Sequence, residues 1–224
     1  MTKGVESPYE LLRGGILRLD FVPGERLSER GLEQVLGASR TPIRAALMRL
    51  ETEGLTRRTD RGWQVTPIDL AEVRAVAEYR EAVEGAVAAL AVQRASDDEL
   101  AALAELARRH DERDDEEAGV RGGDEFHLAL AALSGNAFLV QGMRDVLTRL
   151  SRTRWLDVRT AASRESARDE HLAIVAALRS RDADHARALV LAHGRGTRDR
   201  ILTHLTEEHR RLRGRGFAIV ETAP

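Results

Sequence analysis

Apolar side chains in the first part of the chain recur every three or four positions, which is the spacing of one face of an α-helix. The pattern predicts a first helix over residues 9–17, a second that begins at the N-cap Ser28 and ends at Gly37, and a third that begins at Ser39 and ends at Gly54. Two short helices joined by a glycine-containing turn form a helix-turn-helix pattern. The third helix is therefore predicted to be a recognition helix, whose first turn reaches base edges in the major groove of DNA.

After the third helix the pattern changes to that of a β-hairpin. Two short runs, residues 55–58 and 63–66, flank a tight-turn sequence from Thr59 to Gly62. A hairpin directly after a recognition helix is a wing, so residues 1–66 are predicted to form a winged helix-turn-helix. Arg61 and Gly62 at the tip of the wing are predicted to contact the minor groove or the phosphates.

Charge supports a DNA partner locally rather than over the whole chain. The net charge of the 224 residues is −2, of which the first 66 carry +2 and the remainder −4. Between Gln34 and Glu51, however, there are arginines and no acid. Positive charge is needed where a protein meets phosphate, and this segment contains most of the recognition helix. The predicted contacts to bases and phosphates from its first turns are Ser39, Arg40, Thr41 and Arg44.

The same segment resembles a known DNA-binding domain. The sequences at 23–30, 36–47 and 50–55 are similar to the winged domain of the GntR family of bacterial transcription regulators, and the match covers nearly all of residues 1–66. One departure is Gly31, where the family usually has a charged residue. The resemblance implies that the operator is contacted by Arg30, Ser39, Arg40, Thr41, Arg44 and the wing glycine Gly62.

From residue 67 onward the pattern is helical. The fold class is therefore predicted as mainly α, with the N-terminal winged helix-turn-helix followed by an all-α helical bundle over residues 67–224. The charged run at 111–117 is predicted to be an exposed loop or helix end, and the tail beyond Arg210 is predicted to be frayed. The predicted helices are 70–95, 96 to about 112, 124–133, 138–155, 164–179 and 182–205.

One arginine falls on the apolar stripe of the first of these helices. Arg80 lies four residues after Val76 and three before Val83, both of which are predicted to be buried. A buried guanidinium requires an anionic partner. That partner is either Glu84, one turn further along the same helix, or the carboxylate of a bound ligand.

Three of the seven histidines are predicted to point into the helical core. His127, His171 and His193 lie on three separate helices, each with apolar neighbours on the same face. A single inward histidine is usually a hydrogen-bonded core residue, but three on separate helices suggest convergence. Imidazole is a common ligand of Zn²⁺, Ni²⁺ and Mn²⁺, so the three indicate a site for one divalent transition metal. Asp124, three residues before His127, is a candidate fourth ligand.

This part of the chain resembles the FCD effector domain of the FadR-like GntR subfamily. The similarity rests on the sequences at 80–84, 126–127, 134–136, 170–171 and 176–178, with Asp182 and His193. It implies that His127, His171 and His193 match the metal-binding histidines of the subfamily, and that a small carboxylate effector binds at or beside the metal. The subfamily places its acidic ligand four residues before the first histidine, where this chain has Gly123.

Together these features predict a homodimeric transcription regulator, expected to be a repressor, that binds a double-stranded DNA operator. A small carboxylate metabolite, contacted by Arg80 and the metal, is expected to change operator affinity. Two alternatives stay open, namely the same regulator with a metal-free pocket and a metal-dependent hydrolase. The hydrolase would leave the N-terminal domain unexplained, and the site has no evident general base. The chain has no cysteine and no long apolar run, so a cytoplasmic protein without membrane contact is expected.

Overall fold

The computed structural model describes residues 7–109, 115–207 and 209–222. It divides into two compact units: Met1–Glu72 together with Glu207–Pro224, and Val73–Thr206. The first unit contains the helices α1 (Pro8–Leu17), α2 (Glu29–Leu36), α3 (Arg40–Thr52) and α10 (His209–Gly214), and the strands β1 (Arg26–Leu27), β2 (Thr56–Thr59), β3 (Gly62–Val65), β4 (Ile68–Asp69) and β5 (Ile219–Val220).

The winged helix-turn-helix is confirmed in this unit. The hydroxyl of Ser28 caps α2 by accepting a hydrogen bond from the amide of Gly31, and Gly37 ends that helix in the left-handed conformation (φ +63°). Ser39 occupies the N-cap position of α3 without a capping hydrogen bond from its side chain. Strands β2 and β3 pair antiparallel around a two-residue turn, and β1, which was not predicted, pairs with β3.

The C-terminal segment belongs to the same unit as the wing. Strand β5 pairs in parallel with β4, with Ile219 opposite Ile68. The backbone amide of Ala218 donates to the carbonyl of Pro23 (2.8 Å), and the side chain of Phe217 is buried. The prediction of a frayed tail is therefore wrong. The assignment of the whole of 67–224 to the helical domain also differs from the structure, because residues 207–224 group with the first unit.

In the described residues of the second unit, all the regular elements are helices. Helix α5 packs against α6 and α8, and α6 packs against α7 as well as α8. Within the described ranges, none of the helices is both long and apolar enough to cross a membrane. The helices that build this unit are α4 (Leu70–Arg94), α5 (Asp97–Arg108), α6 (Glu116–Leu133), α7 (Ala137–Arg154), α8 (Ala161–Arg179) and most of α9 (Ala183–Glu207).

Helix α6 begins eight residues before the predicted start at Asp124. The additional residues include Gly119 and Gly123, which disfavour a helix locally but lie where arginines from neighbouring helices approach α6. A Cβ at Gly123 would be 2.6 Å from the guanidinium of Arg154, so a larger residue there would require the guanidinium to shift. The predicted exposed charged loop at 111–117 lies mostly outside the described residues, and its last two residues form the first turn of α6.

Candidate effector and DNA-binding sites

The predicted recognition helix, α3, presents its first turns to solvent. Ser39, Arg40, Thr41 and Arg44 are exposed, whereas Ile43 on the opposite face is fully buried in the core of the first unit. Arg44 donates two hydrogen bonds to Glu29 on α2 (2.9 Å each), and Arg40 lies 3.4 Å from Glu33. These pairs hold both guanidinium groups on the outer surface of the helix-turn-helix, where surface ion pairs contribute little stability.

A hollow of about 470 Å³ separates α3 from the wing. Three of the predicted DNA contacts, Arg44, Arg61 and Gly62, line this hollow and so share one surface. Arg58 lines it too, with its guanidinium 4.9 Å from the centre of the Trp63 ring. Sequence reasoning did not single out Arg58 as a DNA contact. Its exposed position in the first strand of the hairpin could have indicated that role. Arg30 is also exposed, on α2.

The three predicted histidines meet in the second unit. Helix α6 supplies His127, α8 supplies His171 and α9 supplies His193, and all three are buried. One ring nitrogen from each lies within 4.8 Å of the others. His171 stacks on Phe126 (3.9 Å between ring centres), and its buried Nε2 has no hydrogen-bond partner among the described residues.

Carboxylates fix two of the three imidazoles. The Nδ1–H of His127 donates to Glu84 on α4 (2.8 Å), and the Nδ1–H of His193 donates to Glu170 on α8 (2.5 Å). In their neutral forms both rings then present an unprotonated Nε2 to the centre of the cluster, and these two atoms are 3.3 Å apart. Glu170 entered the sequence analysis only as part of a motif.

Arg80 has an internal partner. Its guanidinium donates to both carboxylate oxygens of Glu84 (2.9 and 3.3 Å), which is the intramolecular alternative that the sequence left open. The same guanidinium donates to Nε2 of His127 at 2.8 Å. Burial by itself would raise the pKa of Glu84, but the charge of Arg80 holds it well below its usual range, so the carboxylate is ionised.

Burial controls the protonation of the cluster. Burial, together with the charge of Arg80, lowers the pKa of His127 to about 4. Burial also lowers the pKa of His171 well below its usual value, with the neighbouring imidazoles acting in the same direction. Both rings are therefore neutral at physiological pH and each keeps an unprotonated nitrogen that can bind a metal, although Nε2 of His127 must first give up its hydrogen bond from Arg80.

The predicted fourth ligand does not join the histidines. Asp124 forms an ion pair with Arg154, the last residue of α7, and it is absent from the metal-binding group found among the described residues. The guanidinium of Arg154 lies beside Gly123, one helical turn before His127. Sequence reasoning missed Arg154. Its position could have shown it, because Arg154 lies on the same buried face of α7 as Met143, Leu147 and Leu150, just as Arg80 lies on the buried face of α4.

A cavity of about 340 Å³ adjoins the cluster. Arg154, His171, His193 and Thr197 line it, together with Gly119 and Gly123. Its volume is in the range of pockets for small molecules. The lining suits a small anion because its arginines outnumber its acids: among the described residues it includes Arg109, Arg121, Arg154, Arg164 and Arg168, but only Glu125 and Asp157.

Comparison with known families covers both units. The description "Bacterial regulatory proteins, gntR family" matches residues 6–65, and the FCD domain matches residues 75–196, more than half of the chain. The chain belongs to the GntR family. It is a DNA-binding transcription regulator with an FCD effector domain rather than an enzyme, so the hydrolase alternative is wrong.

Other GntR regulators align with most of this chain. The Nta operon transcriptional regulator of Aminobacter aminovorans is 37% identical over 185 residues, covering 81% of this chain and 87% of that protein. The HTH-type transcriptional repressor RspR of Escherichia coli is 27% identical over 189 residues, covering 83% of each chain. Among solved structures, Escherichia coli McbR/YncC superposes with a TM-score of 0.70 at 20% identity, covering 91% of this chain and 99% of that one, which supports the fold.

Proposed function

We propose that this GntR regulator is a homodimeric repressor whose affinity for its operator is controlled by a small carboxylate metabolite. The metabolite binds in the helical unit, where a divalent transition metal is held by His127, His171 and His193. The observation that carries this proposal is the convergence of three buried imidazoles, two of which, His171 and His193, line a cavity. In the DNA-binding unit, the proposed operator contacts are Arg30, Ser39, Arg40, Thr41, Arg44, Arg61 and Gly62.

The donor set fits a transition metal. Two imidazole nitrogens on one tetrahedral Zn²⁺ are about 3.3 Å apart, given bonds of about 2.0–2.1 Å. The Nε2 atoms of His127 and His193 already have this 3.3 Å separation, and the orphaned Nε2 of His171 provides a third donor. Carboxylates behind metal-binding histidines fix the tautomer and raise ligand basicity, as Glu84 and Glu170 would do here. When bound, the metal supplies a Lewis-acid centre for a carboxylate oxygen.

The chain's own side chains position the effector. The cavity brings Arg154, His171 and His193 together, and Arg80 donates to Nε2 of His127, the nitrogen that also lies 3.3 Å from His193. Binding at this site can change operator affinity only if the metabolite prefers one arrangement of the regulator over another. A coupling free energy of about 1–3 kcal/mol, or a 5- to 150-fold change in affinity, is typical of such control.

Elemental analysis of untagged protein purified without chelator tests the metal. We expect about one Zn²⁺, Ni²⁺ or Mn²⁺ per chain, and a lower melting temperature after chelation, because a metal bound only by the folded state adds stability. His171→Ala should abolish both effects, whereas His185→Ala, which removes an exposed histidine on α9, should preserve them. Protein that takes up none of the three metals on incubation would favour the metal-free alternative.

Transcription in vitro tests repression and effector control. The template carries a DNA fragment that the protein has selected from a random double-stranded pool, placed across a promoter. We expect the protein to lower transcript yield, with relief or strengthening by a carboxylate from a small panel. The His171→Ala protein should repress without responding. Activation of transcription by the wild-type protein would contradict the repressor assignment.

A further inference from the structure

Glu29 places a carboxylate inside the surface that is predicted to meet DNA. It is the first residue of α2 and lines the hollow between α3 and the wing, where the other charged residues of the described lining are Arg44, Arg58 and Arg61. An acid at this place repels the phosphates of DNA and so opposes the attraction that supplies most non-specific affinity. Its position therefore calls for a role other than attraction.

Two elements hold the Glu29 carboxylate in place. Arg44 on α3 donates to both of its oxygens, from Nε to Oε1 and from Nη2 to Oε2 (2.9 Å each). The indole N–H of Trp63, on β3 of the wing, donates to the same carboxylate. The hydrogen bond from Arg44 is the main cause that lowers the pKa of Glu29 below its usual value, so the carboxylate is charged at neutral pH. One anion thus links the recognition helix to the wing.

This pairing fixes which donors of Arg44 are available to a ligand. Nε and Nη2 form one edge of the planar guanidinium, and Glu29 occupies that edge. The pairing leaves the second two-donor edge, formed by Nη1 and Nη2, for another pair of acceptors, and the side chain of Arg44 is 60% exposed. In the major groove, O6 and N7 of guanine are the acceptor pair that matches an arginine edge. An arginine already held in one plane also loses less rotamer freedom when it pairs.

We infer that Glu29 is a positioning residue that makes Arg44 a reader of guanine rather than a phosphate contact. The inference rests on the proposed operator contacts, because it requires Arg44 to lie in the major groove. Without the carboxylate, the guanidinium can swing to a phosphate in any sequence, and the hollow gains one positive charge. Loss of the Glu29 charge should therefore strengthen binding to unrelated DNA and weaken discrimination at one guanine.

The first test uses the DNA fragment selected from the random pool, in copies where one guanine at a time is replaced by 7-deazaguanine, which lacks the N7 acceptor. Fluorescence anisotropy at fixed salt measures each dissociation constant. We expect one replacement to weaken wild-type binding at least about fivefold, because a two-point pair between arginine and guanine is lost. The same replacement should matter less than about twofold in Arg44→Ala and in Glu29→Gln, since neither holds the guanidinium in the reading position.

Unrelated DNA provides the second readout. Glu29→Gln should bind a duplex of scrambled operator sequence about 3- to 10-fold more tightly than the wild type, and its salt dependence should steepen by up to about one unit of slope, because one more phosphate is contacted. Asp20→Asn removes an exposed acid that pairs with Arg18 in the same unit, and should leave both readouts unchanged. A merely structural role of Glu29 would alter stability without moving either readout, and exposed ion pairs contribute little stability.

The outcomes separate this inference from the proposed operator contacts. Equal sensitivity of the wild type and Glu29→Gln to the same guanine, with an unchanged salt slope, would overturn the role of Glu29 and leave the Arg44 contact standing. Wild-type affinity of Arg44→Ala for the selected fragment would contradict the operator contact and the inference with it. If Arg44→Ala weakens binding to selected and scrambled DNA alike and keeps the wild-type response to 7-deazaguanine, Arg44 is a phosphate contact and the inference is wrong.

Discussion

Arg80 and Glu84 form a two-point ion pair one turn apart on α4, in a part of the helical unit where each is only 2% exposed. Both members contact His127: Glu84 accepts from its Nδ1–H, and Arg80 donates to its Nε2. A buried ion pair contributes little net stability compared with apolar residues, but removing one partner leaves the other charge uncompensated. The pair therefore makes the cluster sensitive to the loss of either member.

Glu84→Gln should lower the free energy of unfolding by about 3–5 kcal/mol, because the charge of Arg80 would remain buried without its anion. Urea denaturation followed by circular dichroism measures the change. Glu78→Gln, on the exposed side of α4, is the matched control and should change stability by less than about 0.5 kcal/mol. A loss below about 1 kcal/mol in Glu84→Gln would mean that water or another acid compensates Arg80.

Arg40→Ala should weaken binding to the selected operator by about 10- to 100-fold, because an arginine at the start of a recognition helix discriminates bases by about 1–3 kcal/mol. Fluorescence anisotropy at fixed salt measures this loss. Arg18→Ala, which removes an exposed arginine paired with Asp20 at the end of α1, should bind as the wild type does. Equal affinity of Arg40→Ala and wild type would contradict the placement of the operator contacts.

Ile219→Ala should destabilise the DNA-binding unit by about 2–5 kcal/mol, the usual loss for truncating a fully buried isoleucine. Val220→Ala, the next residue in the same strand, is the control, since Val220 is 37% exposed whereas Ile219 is 2% exposed. The chain has two tryptophans, Trp63 in the first unit and Trp155 in the second. In a Trp155→Phe background, the fluorescence of Trp63 reports the unfolding of the first unit alone. Equal midpoints for the two alanine variants would contradict a structural role for β5.

Phe138→Glu should shift the proposed homodimer towards monomer. Phe138, in the first turn of α7, is 89% exposed, and Tyr79 on α4 is 53% exposed. The two are neighbours, because the hydroxyl of Tyr79 lies beside Gly142, which follows Phe138 by one turn of α7. A large exposed apolar patch on a soluble protein commonly marks an interaction surface. Analytical ultracentrifugation across a dilution series measures the dimer dissociation constant, which should rise at least about tenfold if Phe138 is a central contact. Ala101→Glu introduces the same charge at an exposed position of α5 and should leave the dimer intact.

The winged helix-turn-helix could be predicted because local signals agree there. Ser28, Gly37, Gly54 and the turn before Gly62 each mark a boundary through backbone preferences, and the structure places the boundaries within one or two residues. The convergence of the histidines could be predicted for a similar reason. Each histidine shares a helical face with apolar residues, and burying those faces brings the rings together.

What could not be predicted depends on contacts between distant segments. Strands β4 and β5 contain two residues each and pair across some 150 positions, which is too short for any periodicity to show. Helix α6 continues through Gly119 and Gly123, which argue against a helix locally, and arginines from other helices lie beside both of them. The site of Arg154 was hidden for the same reason, since the sequence shows its buried stripe but not what faces it.

The pairing of β4 with β5 has a consequence for building chimeric sensors. Thr222 donates to the carboxylate of Asp69 (2.5 Å), and the amide of Ile68 donates to the carbonyl of Ala218 (3.0 Å). The unit that contains the winged helix-turn-helix is therefore built from two segments that are far apart in the sequence. Grafting residues 1–66 alone onto a different ligand-binding domain would omit β4 and would leave the carbonyl of Pro23 without the amide of Ala218. A transplant of DNA specificity should therefore carry two pieces, one ending after Asp69 and one running from Glu207 onward.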